Sequence, residues 1–198
     1  MTANGGILET LRNSGALKEG HFVLSSGRHS DQYIEKFDLL RQPTATSAVC
    51  HQIAERFRGR NIDVIVGPTT GGVILAFEVG RQLGAAAAYA ERSPNGDAGR
   101  EFRRGTTFPS GASVLVVDDI LTTGGSLRET LDALSFYPVE VAGVVVLVDR
   151  SGGTADLGVP YVALTTMDIT TWDASDCPLC RRGQPVVKPG TTPMSGSI

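Results

Sequence analysis

The sequence predicts an α/β fold, a mostly parallel sheet with helices on both faces. Three observations point there. Short β-branched runs such as Val64-Ile65-Val66 and Val114-Leu115-Val116-Val117 alternate with stretches of helical period. These runs are apolar at every position, the pattern of strands covered on both sides. Turn signals rich in Gly, Pro or Thr follow the strands, as in Gly67-Pro68 and Thr122-Thr123-Gly124-Gly125.

In chain order, Ile7, Leu8 and Leu11 with Leu17 read as a short amphipathic helix. Phe22-Val23-Leu24 and Tyr33-Ile34 read as two short strands around a turn at Gly27. Thr46 to Phe57 is helical, with Val49, Ile53 and Phe57 on one face; Val73 to Leu83 is helical again and stops at Gly84. Ala86 to Ala90 reads as a strand. Arg92 to Gly105, with Ser93-Pro94-Asn95-Gly96-Asp97, reads as a mobile loop with room for a short hairpin. The strand Val114 to Val117, a helix from Gly125 to Leu134 and the strand Val141 to Val148 follow, then a weaker strand at Tyr161 to Leu164. The tail from Cys177 to 198 is rich in Pro, Gly and Thr and is expected to lie extended. The 198 residues fit a single domain, an N-terminal appendage of about forty residues on an α/β core.

Composition narrows the function. A net charge of −3 and no basic stripe argue against nucleic acid as a partner. The start is polar and without Lys or Arg, and the longest apolar run, Val141 to Val148, is strand-sized, so neither a signal peptide nor a membrane span is expected. Three cysteines are too few for a disulfide framework, which suits the cytoplasm.

The chemistry concentrates in Asp118-Asp119-Ile120-Leu121-Thr122-Thr123-Gly124-Gly125-Ser126, a strand end running into a helix start. Glycines let backbone N–H groups turn toward an anion, the helix start adds its dipole, and three hydroxyls add donors. This is a phosphate loop. The two acids suit vicinal sugar hydroxyls or a nearby divalent cation. Together they describe a ribose 5-phosphate site. A helix cap beside strand-end acids leaves this run of small and hydroxyl residues unexplained.

The run from Val116 to Ser126 resembles the signature of type I phosphoribosyltransferases. More of the chain, from about Leu8 to Arg150, is similar to the orotate phosphoribosyltransferase family. Leu24-Ser25-Ser26-Gly27-Arg28-His29-Ser30 looks like its N-terminal hood, within residues 1–40. Ile65 to Gly72, with Thr69, Thr70 and Gly71, looks like its diphosphate-contacting loop. Val148-Asp149-Arg150 matches the strand end whose arginine meets the orotate ring. The resemblance implies a type I phosphoribosyltransferase core with a small hood. It implies a site for phosphoribosyl diphosphate on residues 118–126 and 69–71, and orotate held by Thr122, Arg150 and Tyr33. It also implies magnesium held mainly by the donor near Asp118 and Asp119, and a homodimer whose mobile loop, 92–105, reaches the partner. A planar guanidinium fork suits the carboxylate and carbonyls of orotate.

The sequence departs from the family pattern at its lysines. Ser25 and Gly71 stand where many members carry lysine, and no lysine lies between Lys36 and Lys188. The cations left to the loop are Arg92, Arg100, Arg103 and Arg104, and these are the expected catalytic residues, with Arg92 foremost. Transfer to another base and a non-catalytic sensor of the ribose donor stay open as alternatives. Cys177-Pro178-Leu179-Cys180 has metal-knuckle spacing but supplies two of the four ligands a structural zinc needs; a dimer would bring two such pairs together, and the histidines lie far upstream. Trp172 reads as tail packing and His29 as a solvent-exposed turn residue, with contact to the base as the alternative.

Overall fold

A computed structural model describes residues 4–94 and 99–189. The loop tip at 95–98, which includes Asn95-Gly96-Asp97, and the tail at 190–198 lie outside the described residues. The chain runs α1 (Asn4–Asn13), β1 (Leu17–Val23), β2 (His29–Ile34), α2 (Lys36–Leu40), α3 (Pro43–Phe57), β3 (Val64–Pro68), α4 (Gly71–Leu83) and β4 (Ala86–Arg92). It continues with β5 (Arg100–Glu101), β6 (Ala112–Leu121), α5 (Gly125–Leu134), β7 (Val139–Asp149), β8 (Tyr161–Thr166), β9 (Thr171–Trp172) and α6 (Pro178–Arg181).

The central sheet has the order β5-β4-β3-β6-β7-β8, and every pairing in it is parallel except the short β4–β5 hairpin. Side chains alternate across its two faces. Ile65, Leu115, Val117, Val145 and Leu147 join Val49, Ile53, Leu75 and Val79 of α3 and α4 in one core. Val64, Val66, Val114, Val116, Val144 and Val146 join Leu127 and Leu134 of α5 in the other. The sheet is therefore covered on both faces, as the continuous apolar runs require. Each fully buried Leu or Val in these layers contributes about 1.5–3 kcal/mol. Gly84 ends α4 in the left-handed region at φ 72°, its N–H bonded to the Gly80 carbonyl. Among the described residues no helix is long and apolar enough to cross a membrane.

A second, three-stranded sheet, β1-β2-β9, forms the N-terminal appendage and recruits its third strand from near the C-terminus. Three expectations need correction here. Leu17 does not belong to the first helix, which ends at Asn13; it opens β1 after a turn at Gly15, φ 74°. His29 is buried rather than exposed, because β2 begins there and pairs with Trp172. Trp172 thus packs as a strand residue of the hood. The tail is not simply extended: Pro178, preset for a helical first turn, starts α6 after the extended Cys177. Beyond α6 the chain does extend, and Val187 bridges to Phe22 along β1.

Candidate active site

Asp118 and Asp119 lie within strand β6, just before its end at Leu121, and both are buried. The loop Thr122 to Gly124 then turns into α5. Gly124 takes φ 80°, and a Cβ there would stand 2.6 Å from Leu157 Cδ2, so only glycine fits. No side chain caps α5, and the first amides of a helix have no intrahelical partner. They face a cavity of about 210 Å³ lined by Arg92, Asp118, Ile120, Leu121, Leu127 and Glu129 together with Thr122 to Ser126. The resulting site is small and polar and has the donors of a phosphate cradle.

The carboxylates are held under tension of charge. Burial and the neighbouring Asp119 push the Asp118 carboxyl up to about 7. Asp118 Oδ1 accepts from the Asp119 amide at 2.8 Å. Asp119 Oδ1 accepts from the Ile120 amide at 2.7 Å and from Lys36 Nζ at 3.0 Å. Asp119 Oδ2 lies 2.9 Å from the same Nζ, yet it is buried without a well-directed hydrogen bond.

Gly71, at the start of α4, packs against this pair: a Cβ there would stand 1.7 Å from Asp119 Oδ2. That contact is a physical reason why a lysine does not stand at Gly71 in this chain. Thr69 and Thr70, joined by a cis peptide bond, complete the β3–α4 turn. A Cβ on Gly67 would meet the Gly72 carbonyl oxygen at 2.2 Å, so the turn closes tightly on itself.

Arg100 ties the two loops together. It is buried on β5, donates to Thr69 Oγ1 at 3.0 Å, to the Ala90 carbonyl at 3.1 Å and to Ser126 Oγ at 3.3 Å, and pairs with Glu129 at 3.2 Å. Arg92 is exposed and lines this first cavity. Arg103 and Arg104 turn to Glu91, at 3.6 and 3.2 Å. The four loop arginines thus occupy three different environments.

A second cavity, about 570 Å³, shares Thr122 and Thr123 with the first. Tyr33 and Arg150 line it, with Ser25 and Ser26 from the hood and Lys188 from the C-terminal segment. The Arg150 Nε is buried and has no hydrogen-bond partner, and burial lowers the pKa of the guanidinium. Asp149 instead accepts from Tyr161 Oη, 2.7 Å, and from the Ser151 amide, 2.7 Å. Burial also raises the Tyr33 phenol.

Two residues escaped sequence reasoning: Lys36 at the acids and Lys188 at the second cavity. The chain has three lysines, and the two that flank its long lysine-free stretch are these. Their scarcity was the only signal available.

Residues 38–177 match the family model described as the phosphoribosyl transferase domain. An orotate phosphoribosyltransferase of Caldicellulosiruptor bescii is 43% identical over 184 residues, 93% of this chain and 95% of the relative. One from Methylobacterium sp. strain 4-46 is 45% identical over 192 residues, 94% and 97% of the two chains. The crystal structure of orotate phosphoribosyltransferase from Aeropyrum pernix superposes with a TM-score of 0.64 at 30% identity, over 81% of this chain and 93% of that one. The chain belongs to the phosphoribosyltransferase family, on its orotate phosphoribosyltransferase branch.

Proposed function

We propose that this protein transfers the 5-phosphoribosyl group from phosphoribosyl diphosphate to orotate, giving orotidine 5'-phosphate and diphosphate in pyrimidine nucleotide synthesis. The observation that carries the reading is the pair of cavities that share Thr122 and Thr123, one lined by a phosphate loop with Asp118, the other by a half-buried arginine whose Nε is buried without a hydrogen-bond partner. A buried guanidinium N–H without a partner is costly unless an acceptor completes it. The orotate carboxylate and ring carbonyls are such a partner. The curated relatives quoted above are named for the same reaction.

In this reading the phosphate loop, 122–126, grips the 5-phosphate and the acids accept from the ribose hydroxyls. The diphosphate lies toward Thr69, Thr70 and Gly71. Arg150, Tyr33 and Thr122 orient the base so that its N1 faces the anomeric carbon. The new N–C bond forms as the C–O bond to diphosphate breaks, and positioning and charge stabilisation do most of the work. Arg92 stabilises the departing diphosphate. Arg100 positions both loops, while Arg103 and Arg104 contribute charge when the segment 92–105 closes and excludes water.

The donor set fits magnesium: two carboxylates of hard character, one of them with a buried oxygen, Asp119 Oδ2, whose only partner among the described residues is the Lys36 ammonium at 2.9 Å. Magnesium bound with the donor supplies neutralisation of the diphosphate charge. We further read residues 1–198 as one functional unit, working as a homodimer in the cytoplasm.

The test is a turnover assay with orotate, phosphoribosyl diphosphate and magnesium. Orotidine 5'-phosphate is the expected product. Donor binding with no turnover, or turnover with a purine base in place of orotate, rules the reading out.

A further inference from the structure

We infer that His21, His29, Cys177 and Cys180 form a second, structural metal site that binds one zinc ion and locks the hood to the C-terminal segment. Their four ligand atoms lie within 4.8 Å of one another. The site is far from the chemistry in kind: imidazole and thiolate in place of carboxylate and phosphate. It does not depend on which base the enzyme uses.

The local structure explains how residues so distant in sequence converge. The β1–β2 register shifts between Glu19 and Phe22, so one extra residue enters β1. A bulge re-aims side chains, and His21 and Phe22 are consecutively buried where strict alternation would expose one. His29 opens β2 on the partner strand. Cys177 precedes α6 and Cys180 lies within it, which gives the two-residue spacing of a metal knuckle. His21, His29 and Cys177 are buried and Cys180 is exposed, a path for the ion to enter.

The distances suit a tetrahedral ion. Zinc–sulfur bonds of about 2.3 Å and zinc–nitrogen bonds of about 2.05 Å put sulfur and nitrogen ligands about 3.6 Å apart. Cys177 Sγ and Cys180 Sγ lie 3.5 and 3.6 Å from His21 Nε2, and Cys180 Sγ lies 3.3 Å from His29 Nδ1. The two imidazole nitrogens, 2.8 Å apart, need only open by about half an ångström.

A hydrogen bond from His29 Nδ1 to His21 Nε2 accounts for the imidazole pair but not for the two sulfurs crowded onto the same two nitrogens. His21 Nδ1 lies 2.8 Å from the Gln184 carbonyl oxygen, so that nitrogen carries the proton and Nε2 presents a lone pair. This is the outer-shell contact that fixes a metal-binding tautomer. One lone pair then faces a nitrogen and two sulfurs at once. A cation at the centre satisfies all four groups, and two thiolates balance its charge. Soft sulfur with imidazole selects zinc over magnesium.

The test reads metal directly. The full-length protein, desalted after expression, should carry about one zinc per chain by elemental analysis. Exchange into Co²⁺ should give the intense visible bands of tetrahedral cobalt and a sulfur-to-cobalt charge-transfer band in the ultraviolet. Cys180→Ser, at the exposed ligand, should weaken Co²⁺ binding beyond the roughly 10–100-fold typical of losing an outer-shell partner, and should abolish part of the charge-transfer band. A folded wild-type protein holding far less than one zinc after incubation with excess ion, or a cobalt spectrum without tetrahedral and sulfur bands, overturns the site. Neither readout depends on orotate turnover, so this inference and the proposed reaction stand or fall separately.

Discussion

The two cavities of this site are built in opposite ways. The phosphate cavity comes from one stretch of chain, the end of β6 and the start of α5, with Arg92 added from β4. The second cavity, proposed to take the base, comes from four: the hood at residues 23–26 and 33, the loop at 122–123, the residues just after β7 at 150–151, and the C-terminal segment at 188–189. Local construction makes the first half a motif that covalent sequence order alone preserves. The second half exists only when distant segments pair, and its geometry is therefore a property of tertiary structure.

The sharpest way to break the comparison is at the acids. Asp118→Asn with Asp119→Asn removes two charged acceptors from the locally built half. Activity should fall by about 10²–10⁴-fold, at about 1.5–3 kcal/mol per hydrogen bond involving a charged group. The fold should persist, by circular dichroism and thermal melting. Near-normal turnover would mean that the acids do not hold the ribose.

That division also decides what was legible. The parallel sheet, its two-sided core and the loop at 118–126 follow from local runs and could be read directly. Lys36 could not, because nothing in Glu35-Lys36-Phe37 says that α2 will carry its amine to Asp119, eighty-three residues away. The cysteine knuckle was visible as half a site. Its other half, His21 and His29, is brought in by a bulge and by a β2–β9 pairing, and neither leaves a local signature. His29 was misread for the same reason: a residue after Gly27-Arg28 looks like a turn until Trp172 pairs with it.

On the base side, Arg150→Ala should raise the orotate KM by roughly 10- to 150-fold and leave the donor KM within about threefold, since one hydrogen bond to a charged group is lost. Steady-state kinetics with each substrate varied would check this. Equal rises in both constants would make Arg150 a structural residue and move base recognition toward Lys188.

The loop arginines test whether sequence neighbours share a role. Arg92→Gln should lower kcat by about tenfold with little change in donor affinity. Arg103→Gln and Arg104→Gln should stay within about threefold, because exposed pairs with Glu91 contribute about 0.2–1 kcal/mol. Arg100→Gln should instead lower thermal stability, since it severs the links from Thr69 and Ser126. Wild-type kcat in all four variants would leave the segment without a catalytic part.

The smallest effect asks how the locally built half tolerates its own charge. Asp118 is buried beside Asp119, and its carboxyl is raised from 3.8 to about 7. A carboxyl raised on folding favours the native state most when protonated. Its contribution is complete below about pH 4 and is lost as pH rises through about 7. Asp118→Asn keeps the shape without the charge, so it removes this loss. The variant and the wild type, both without donor or magnesium, should melt at similar temperatures at or below about pH 4. By pH 8 the variant should melt higher, on the order of 5 °C for a chain of this size. Asp119→Asn should move the wild-type curve in the same direction, because it withdraws the like charge facing Asp118. If the proposed function holds, bound ribose hydroxyls and magnesium would favour the ionised form and relieve this cost. Melting curves for Asp118→Asn and wild type that run parallel from pH 4 to 8 would show that Asp118 ionises without penalty, and that the acids are not held at the expense of stability.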